Sequence, residues 1–291
     1  MPKIWNRFLV NAKETRVFKS ILIRSLSGLV FMGLMIGALL WHPYSFLLLL
    51  LVITGIMCWE YFRMSIGWAY GFAQGCAFLA GWLLLGLCYG LAQGHFPPQY
   101  SLVLLLPLVA MRISLIYHKK EDDYIRASRL FEPLLYIFLP FALTCFLVFQ
   151  SDGFHGLRLL SLFIILWASD VGAYVFGIAF GQRAGSHKLF PRLSPKKSWE
   201  GFFGGWFCAL IAGFLLSYWG ALPYSLTHCL VIATLLHIFG VWGDLIESQI
   251  KRQAGVKDSG NIMPGHGGLL DRFDSALLAF PIAIAYIVIF T

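Results

Sequence analysis

Long apolar segments separated by short polar ones run through most of the chain. Nine of them have the roughly 17–25 residues that a helix needs to cross a bilayer. Their apolar residues are continuous and do not alternate, which argues against a transmembrane barrel. The pattern predicts an all-α polytopic integral membrane protein with about nine transmembrane helices. The predicted spans are 21–41, 46–64, 68–91, 101–117, 133–150, 159–181, 201–219, 226–247 and 274–291.

The composition agrees with this class, because 59% of the residues are hydrophobic and 12% are charged, against about 25% charged in soluble domains. The net charge of +8 comes from basic residues that gather in alternate connections. If the N-terminus is cytoplasmic, only Arg158 of the 22 basic residues lies outside. Positive residues favour the cytoplasmic side, so this bias predicts a cytoplasmic N-terminus. It also accounts for the basic charge, and we predict no binding to nucleic acid.

Polar residues are concentrated in the C-terminal half. We therefore divide the chain into residues 1–150, with helices 1 to 5, and residues 151–291, with helices 6 to 9. The second part contains two charged loops, 182–200 and 248–273, which the orientation above places on the cytoplasmic side. We predict that this second part carries the chemistry.

The first polar group lies within helix 6, where Asp170 interrupts an apolar run and Tyr174 follows one turn later on the same face. Ionisable groups within a membrane span are costly and are often functional. Asp170 either lines a polar cavity or forms a hydrogen bond within the helix bundle, and the sequence leaves both open.

The second group, residues 194–201, leads into helix 7. Ser198 is a suitable N-cap, and Glu200 suits the positive end of the helix. Lys196 and Lys197 beside a helix N-terminus would suit a phosphate, together with Ser194. The two lysines are equally explained as orientation signals.

The third group joins the ends of helices 8 and 9. Asp244, Glu247 and Ser248 share a face at the end of helix 8, and Asp271 and Asp274 share a face at the start of helix 9. Two carboxylates are what Mg²⁺ usually takes from protein, with water and phosphate completing its shell. The alternative is a set of salt bridges, such as Asp271 with Lys251. Farther along helix 8, His237 is expected to be a hydrogen-bonded residue of the bundle.

The run from Ser248 to Asp274 resembles the signature of phosphatidate cytidylyltransferases, also called CDP-diacylglycerol synthases. That signature has Ser-x-apolar-Lys-Arg, then Lys-Asp, then Pro-x-His-Gly-Gly-apolar-x-Asp-Arg-apolar-Asp. Each charged position, the histidine and the glycine pair match, and Met263 stands where Leu, Ile or Phe is more usual. Upstream elements of the family also occur, at 168–174, 194–201 and 243–248. The resemblance covers roughly residues 160–291 with specific motifs.

The resemblance implies the reaction of CTP with phosphatidate to give CDP-diacylglycerol and pyrophosphate, a step of phospholipid biosynthesis. It also implies nine helices, a homodimer, and a polar cavity open to the cytoplasm and laterally to membrane lipids. The family's two metals, Mg²⁺ and K⁺, lie on a pair of aspartates that correspond here to Asp244 and Asp271.

This reaction brings two anions together, so basic side chains should neutralise their phosphates. We expect this role for Lys197, Lys251, Arg252, Lys257 and Arg272. His266 should donate to a phosphate oxygen, and the Gly267-Gly268 turn should present backbone donors. Glu247, Ser248, Asp258 and Asp274 should orient the ligands and basic side chains. Ser194, Lys196, Ser198 and Asp170 complete the expected substrate site.

Two other functions fit the same residues. Asp170, Asp244 and Glu247 would suit ion or proton sites of a transporter, although no internal repeat is visible and the charges gather at one face. A CTP-dependent enzyme acting on another lipid phosphate is the second alternative. The length of the chain favours the inner membrane of a bacterium, with the active site facing the cytoplasm.

Overall fold

The computed structural model describes residues 25–117, 127–183, 187–263 and 267–291. Nine helices occur within these ranges, and we number them in chain order. They are α1 (Ser25–Trp41), α2 (Pro43–Ser65), α3 (Gly71–Ala92), α4 (Pro98–Tyr117), α5 (Leu134–Val148), α6 (Gly156–Ala179), α7 (Trp199–Tyr218), α8 (Leu226–Gln253) and α9 (Leu270–Phe290).

Seven of these helices have 20 to 28 residues and are apolar enough to cross a membrane, while α1 and α5 are shorter. Large apolar side chains are exposed along them, including Val171 and Val175 on α6 and Phe203 and Phe207 on α7. The protein is therefore an all-α polytopic membrane protein, as the sequence predicts. The exact number of crossings and the cytoplasmic N-terminus stay predictions, because residues 1–24 and 118–126, with many of the basic residues, lie outside the described ranges.

Two helices extend into the predicted loop 248–273. Helix α8 continues to Gln253 and α9 begins at Leu270, so the predicted loop 248–273 is reduced to residues 254–269. The prediction from hydropathy placed these helix ends in the loop because they contain several charged and polar residues. They are helical because one face of each still packs inside the protein, as the ion pairs of Lys251 and the buried Phe273 show.

A β-hairpin that the sequence did not indicate precedes α7. Strand β3 (Lys188–Phe190) pairs antiparallel with strand β4 (Ser194–Ser198). A smaller antiparallel pair, β1 (Phe149–Gln150) with β2 (Gly153–Phe154), joins α5 to α6. The Ser198 side chain accepts a hydrogen bond from the N–H of Gly201 at 3.2 Å, which confirms the predicted N-cap. The hairpin thereby fixes the two lysines of β4 at the start of α7.

Helices α6 to α9 pack closely through small residues. A Cβ atom at Gly243 on α8 would overlap the carbonyl oxygen of Asp274 and lie 3.2 Å from the Cα atom of Ser275. At Gly205 on α7 it would lie 2.8 Å from the carbonyl oxygen of Ser169. Small residues let membrane helices approach at backbone distance. The acidic ends of α8 and α9 are close together for this reason.

Gly243→Ala should lower the free energy of unfolding by about 1–3 kcal/mol, because the added methyl group must push α9 away from α8. The measurement is thermal unfolding of the purified variants in detergent. Gly86→Ala in α3 is the matched control, since a Cβ there meets no atom within 4 Å. It should be neutral or raise stability by about 0.5–1 kcal/mol. Equal melting temperatures for both variants would contradict the close packing of α8 on α9.

Candidate active site

A cavity of about 670 Å³ lies between α6, α7, α8, α9 and the β3–β4 hairpin. One part of its wall is polar and carries carboxyl and ammonium groups, and the other part is apolar. The lining residues are Asp170, Ala173, Tyr174, Gly177, Ile178, Gln182, Leu189, Lys196, Lys197, Ser198, Gly201, Phe202, Val241, Asp244, Asp271, Asp274 and Ser275. The three polar groups of the sequence therefore meet in one place.

Asp244 pairs with a lysine from the hairpin. Its Oδ2 atom lies 2.7 Å from Nζ of Lys197, and its Oδ1 atom accepts a hydrogen bond from Ser248 Oγ at 3.3 Å. The side chains of Lys197 and Asp244 are 25% and 35% exposed. The pair is therefore accessible from the cavity, and both partners can rearrange around a ligand.

Asp271 is held by four contacts at the start of α9. Its Oδ1 atom lies 2.6 Å from Nζ of Lys251. Its Oδ2 atom accepts hydrogen bonds from the N–H of Ser259 at 2.9 Å, from Ser259 Oγ at 3.0 Å and from the N–H of Gly268 at 2.9 Å. The orientation of this carboxylate is thus fixed by the loop between α8 and α9.

Lys251 connects α8 to α9 through its ion pair with Asp271, which lines the cavity. Its Nζ atom contacts Oε2 of Glu247 at 3.0 Å as well as Asp271. The exposed fractions of the three side chains are 12% for Lys251, 0% for Glu247 and 6% for Asp271. The salt bridge between Asp271 and Lys251, which the sequence suggested as an alternative to a ligand site, is therefore present.

The cavity contains more acidic than basic groups. Four aspartates line it, at positions 170, 244, 271 and 274, together with Lys196 and Lys197. One of these two lysines is already paired with Asp244. The ionised carboxyl groups of this wall would repel an anionic ligand unless cations accompanied it.

The donor set suits a hard divalent cation. Carboxylate oxygens are the protein ligands that Mg²⁺ prefers, and it usually takes one or two of them. Within the part of the chain that the structure describes, no three His, Cys, Asp or Glu side chains are arranged to hold a metal ion. A cation here would therefore take few protein ligands and complete its shell with water and phosphate, as Mg²⁺ commonly does. Asp244 fits this role directly, because among the described residues each of its oxygens has one hydrogen-bond or ion-pair partner.

Other expected residues lie outside the cavity wall. Arg252, Lys257, Asp258 and Arg272 are exposed, and the guanidinium of Arg252 donates to the carbonyl oxygen of Val256 at 3.3 Å. Ser194 lies at the start of β4, away from the lining. His266 is outside the described residues. The cavity thus brings together the aspartates and the hairpin lysines but not these exposed residues.

The glycine pair has a structural explanation. Gly267 has a φ of +84°, a conformation that glycine adopts without strain. The N–H of Gly268 donates to Asp271, so it is not free for a phosphate. This contact differs from the expectation that the turn presents both of its amides to a substrate, because the side chain of Asp271 reaches back over the turn.

His237 is a hydrogen-bonded residue of the bundle, as predicted. Its Nδ1 atom lies 2.8 Å from Ser169 Oγ, and both side chains are buried. This contact joins α6 to α8 next to Asp170.

The sequence reasoning missed Glu60 on α2. This side chain is fully buried and accepts hydrogen bonds from the N–H groups of Leu269 and Leu270 at 3.0 and 2.8 Å. The sequence does show Glu60 as the single acidic residue of its predicted apolar span, which is the feature that identified Asp170.

The fold and the cavity define a polytopic membrane protein with a site of aspartates and lysines built by its last four helices. The model of the cytidylyltransferase family matches residues 22–290. The chain belongs to this family, which confirms the family indicated by the motifs.

Similar proteins include three that carry the name phosphatidate cytidylyltransferase. That of Staphylococcus aureus (strain COL) is 37% identical over 202 residues, covering 68% of this chain and 75% of the relative. That of Staphylococcus haemolyticus is 38% identical over 186 residues, covering 62% and 68%. That of Staphylococcus epidermidis (strain ATCC 12228 / FDA PCI 1200) is 44% identical over 138 residues, covering 47% and 52%.

Lys251→Met should lower the free energy of unfolding by about 3–5 kcal/mol, because it leaves the carboxyl groups of Glu247 and Asp271 without their cation. Thermal unfolding in detergent measures this. Lys197→Met is the control, since its more exposed ion pair should contribute about 0–1 kcal/mol. The double variant Lys251→Met with Glu247→Gln should regain part of the lost free energy of unfolding, because one of the two unpaired carboxyl groups is then absent. Equal effects of the two lysine substitutions would contradict the assignment of Lys251 as the buried partner.

Proposed function

We propose that the protein transfers the cytidylyl group of CTP to phosphatidate, giving CDP-diacylglycerol and pyrophosphate. The observation that carries this is the meeting of Asp244, Asp271 and Lys197 in one cavity of a membrane bundle. Membership of the cytidylyltransferase family supports it, as do the names of the similar proteins.

The chemistry needs little covalent help from the protein. An oxygen of the lipid phosphate attacks the α-phosphorus of CTP, a new P–O bond forms, and the bond from that phosphorus to the departing pyrophosphate breaks. A phosphate monoester has its second pKa near 6 and is already largely ionised at neutral pH. Positioning and charge neutralisation are therefore the main tasks of the site. We assign no nucleophilic side chain.

Lys197 and Lys196 are the residues on the cavity wall that would neutralise phosphate charge. Lys197 is paired with Asp244 in this structure. An arriving phosphate would compete with that carboxylate for the ammonium group, so binding would release Asp244 to another cation. The hairpin that holds both lysines would thereby couple nucleotide binding to the state of Asp244.

Asp244 and Asp271 would hold Mg²⁺, and K⁺ is proposed as a second ion in the same acidic cavity. When bound, Mg²⁺ supplies charge stabilisation at the phosphate oxygens and at the leaving pyrophosphate. The excess of aspartates over lysines on the cavity wall supports this proposal, since an anionic substrate needs such cations there. Lys251 orients Asp271 through its ion pair.

The apolar part of the wall would receive the lipid. Ile178, Leu189, Phe202 and Val241 line the cavity beside the polar groups, and Tyr174 is largely exposed. Such contacts suit acyl chains of any lipid phosphate and do not select one. We further propose that the protein acts as a homodimer in a bacterial inner membrane, with the cavity facing the cytoplasm, as the positive-inside pattern suggests.

Asp271→Asn should lower kcat by on the order of 10³-fold, since a bound metal contributes several kcal/mol to the transition state. The purified protein is assayed in mixed micelles with CTP, Mg²⁺ and phosphatidate, following pyrophosphate and the nucleotide-linked lipid together. Asp152→Asn, in the short turn between α5 and α6, is the control and should keep full activity.

Near wild-type turnover in Asp271→Asn would overturn the metal assignment. Wild-type protein that is folded but inactive on phosphatidate, and active on another lipid phosphate, would change the substrate. Inactivity on all lipid phosphates tested would overturn the proposed function.

Lys197→Ala should lower kcat/KM for CTP by about 10- to 100-fold, because it removes a charged hydrogen-bond donor to phosphate. Initial rates over a range of CTP concentrations measure this, and expression in the membrane should be unchanged. Arg158→Ala, which removes a cation at the start of α6, is the matched control. A normal kcat/KM in Lys197→Ala would exclude this lysine from nucleotide binding.

A further inference from the structure

Glu60 is a buried acidic residue in the N-terminal half of the chain. It lies five residues before the end of α2 and its side chain is 0% exposed. Its Oε1 atom accepts from the N–H of Leu269, its Oε2 atom accepts from the N–H of Leu270, and Ser259 Oγ lies 3.2 Å from Oε2. A carboxyl group in such a place is costly unless it is hydrogen-bonded. The two backbone donors compensate for that cost.

The loop between α8 and α9 is built around this carboxyl group. A Cβ atom at Gly268 would lie 2.7 Å from Oε2 of Glu60, and one at Gly260 would lie 2.9 Å from Cδ of Glu60. Both values are below the separation that real Cβ atoms show. Glycine is therefore needed at both positions so that the loop can close over Glu60.

Ser259 links Glu60 to the candidate metal ligand. Its Oγ atom lies 3.2 Å from Oε2 of Glu60 and 3.0 Å from Oδ2 of Asp271. The N–H of Ser259 donates to the same Oδ2 atom. The two carboxyl groups are thus joined through one residue, 199 positions after Glu60 in the chain.

Glu60 also satisfies the start of α9. The first N–H groups of a helix have no partner within the helix, and Asp271 is in this first turn. The side chain of Leu269, which precedes the helix, makes no capping hydrogen bond. Glu60 supplies the acceptor from another helix.

We propose that Glu60 is a positioning residue that holds residues 259–260 and 268–270, and through them the carboxylate of Asp271, in the geometry needed for cytidylyl transfer. This rests on the proposed function. Without Glu60 the amides of Leu269 and Leu270 lose their acceptor, and the first turn of α9 loosens. Asp271 then loses the fixed position that its contacts with Ser259 and Gly268 give it.

The test compares wild type with Glu60→Gln, which keeps the shape of the side chain but turns one acceptor oxygen into a donor. Two quantities are measured on purified protein in detergent: kcat and KM in the micelle assay, and hydrogen exchange of the backbone amides. We expect kcat to fall by roughly 10- to 100-fold, with KM for phosphatidate within about twofold of wild type. Exchange over residues 258–271 should become faster, while α3 is unchanged.

Thr54→Val on the same helix is the matched control. Thr54 is also fully buried, and its Oγ1 atom donates to the carbonyl oxygen of Leu50 at 2.6 Å, away from the loop. This variant should keep wild-type kcat and wild-type exchange over 258–271. A merely structural role of a buried polar group in α2 would affect both variants alike.

Wild-type kcat in folded Glu60→Gln would overturn the proposal, as would a lowered kcat with unchanged exchange over 258–271. If Glu60→Gln does not fold, the proposal is tested with Ser259→Ala, which removes the hydroxyl group that lies between the two carboxyl groups. A kcat reduced severalfold is then expected, and an unchanged kcat overturns the proposal. An inactive wild-type protein would count against the proposed function, and the exchange measurement would still decide whether Glu60 orders the loop.

Discussion

Lys251 lies between two carboxyl groups that have almost no contact with water, and the interface of α8 and α9 depends on this arrangement. Ionisable groups inside a membrane protein are tolerated when they are paired within the bundle. Lys251 pairs with Glu247 on its own helix and with Asp271 on the next one. The pairing requires close helices, and Gly243 permits this because a larger residue would collide with the backbone of α9.

The same constraint explains the character of the cavity. The ammonium group of Lys251 cannot neutralise all the carboxyl groups that α6, α8 and α9 bring to the cavity. The other two lysines, Lys196 and Lys197, come from the hairpin. The cavity wall therefore has more carboxyl than ammonium groups. Under the proposed function, a phosphate would enter such a cavity more favourably together with cations than alone. The wall would thus suit a nucleotide that arrives with its metal.

Much of this architecture could be predicted from the sequence. Apolar segments fixed the helices to within a few residues, and the polar motifs identified Asp170, Lys197, Asp244 and Asp271, which do meet in one cavity. The ends of α8 and α9 were predicted too short because polar residues there continue the helix. The hairpin was missed because its strands have only three and five residues. Hydropathy alone shows neither the pairing of two short strands nor the continuation of a helix through polar residues.

Glu60 shows a different limit. Its partners are 199 to 210 positions away, so no local pattern could connect them. The division at residue 150 follows the density of polar motifs, yet α2 reaches across it and supplies the acceptor for the first turn of α9. Three of the four contacts of Asp271 come from Ser259 and Gly268, and Glu60 contacts Ser259 and the two residues that follow Gly268. Helix α2 therefore supports the residues that orient Asp271.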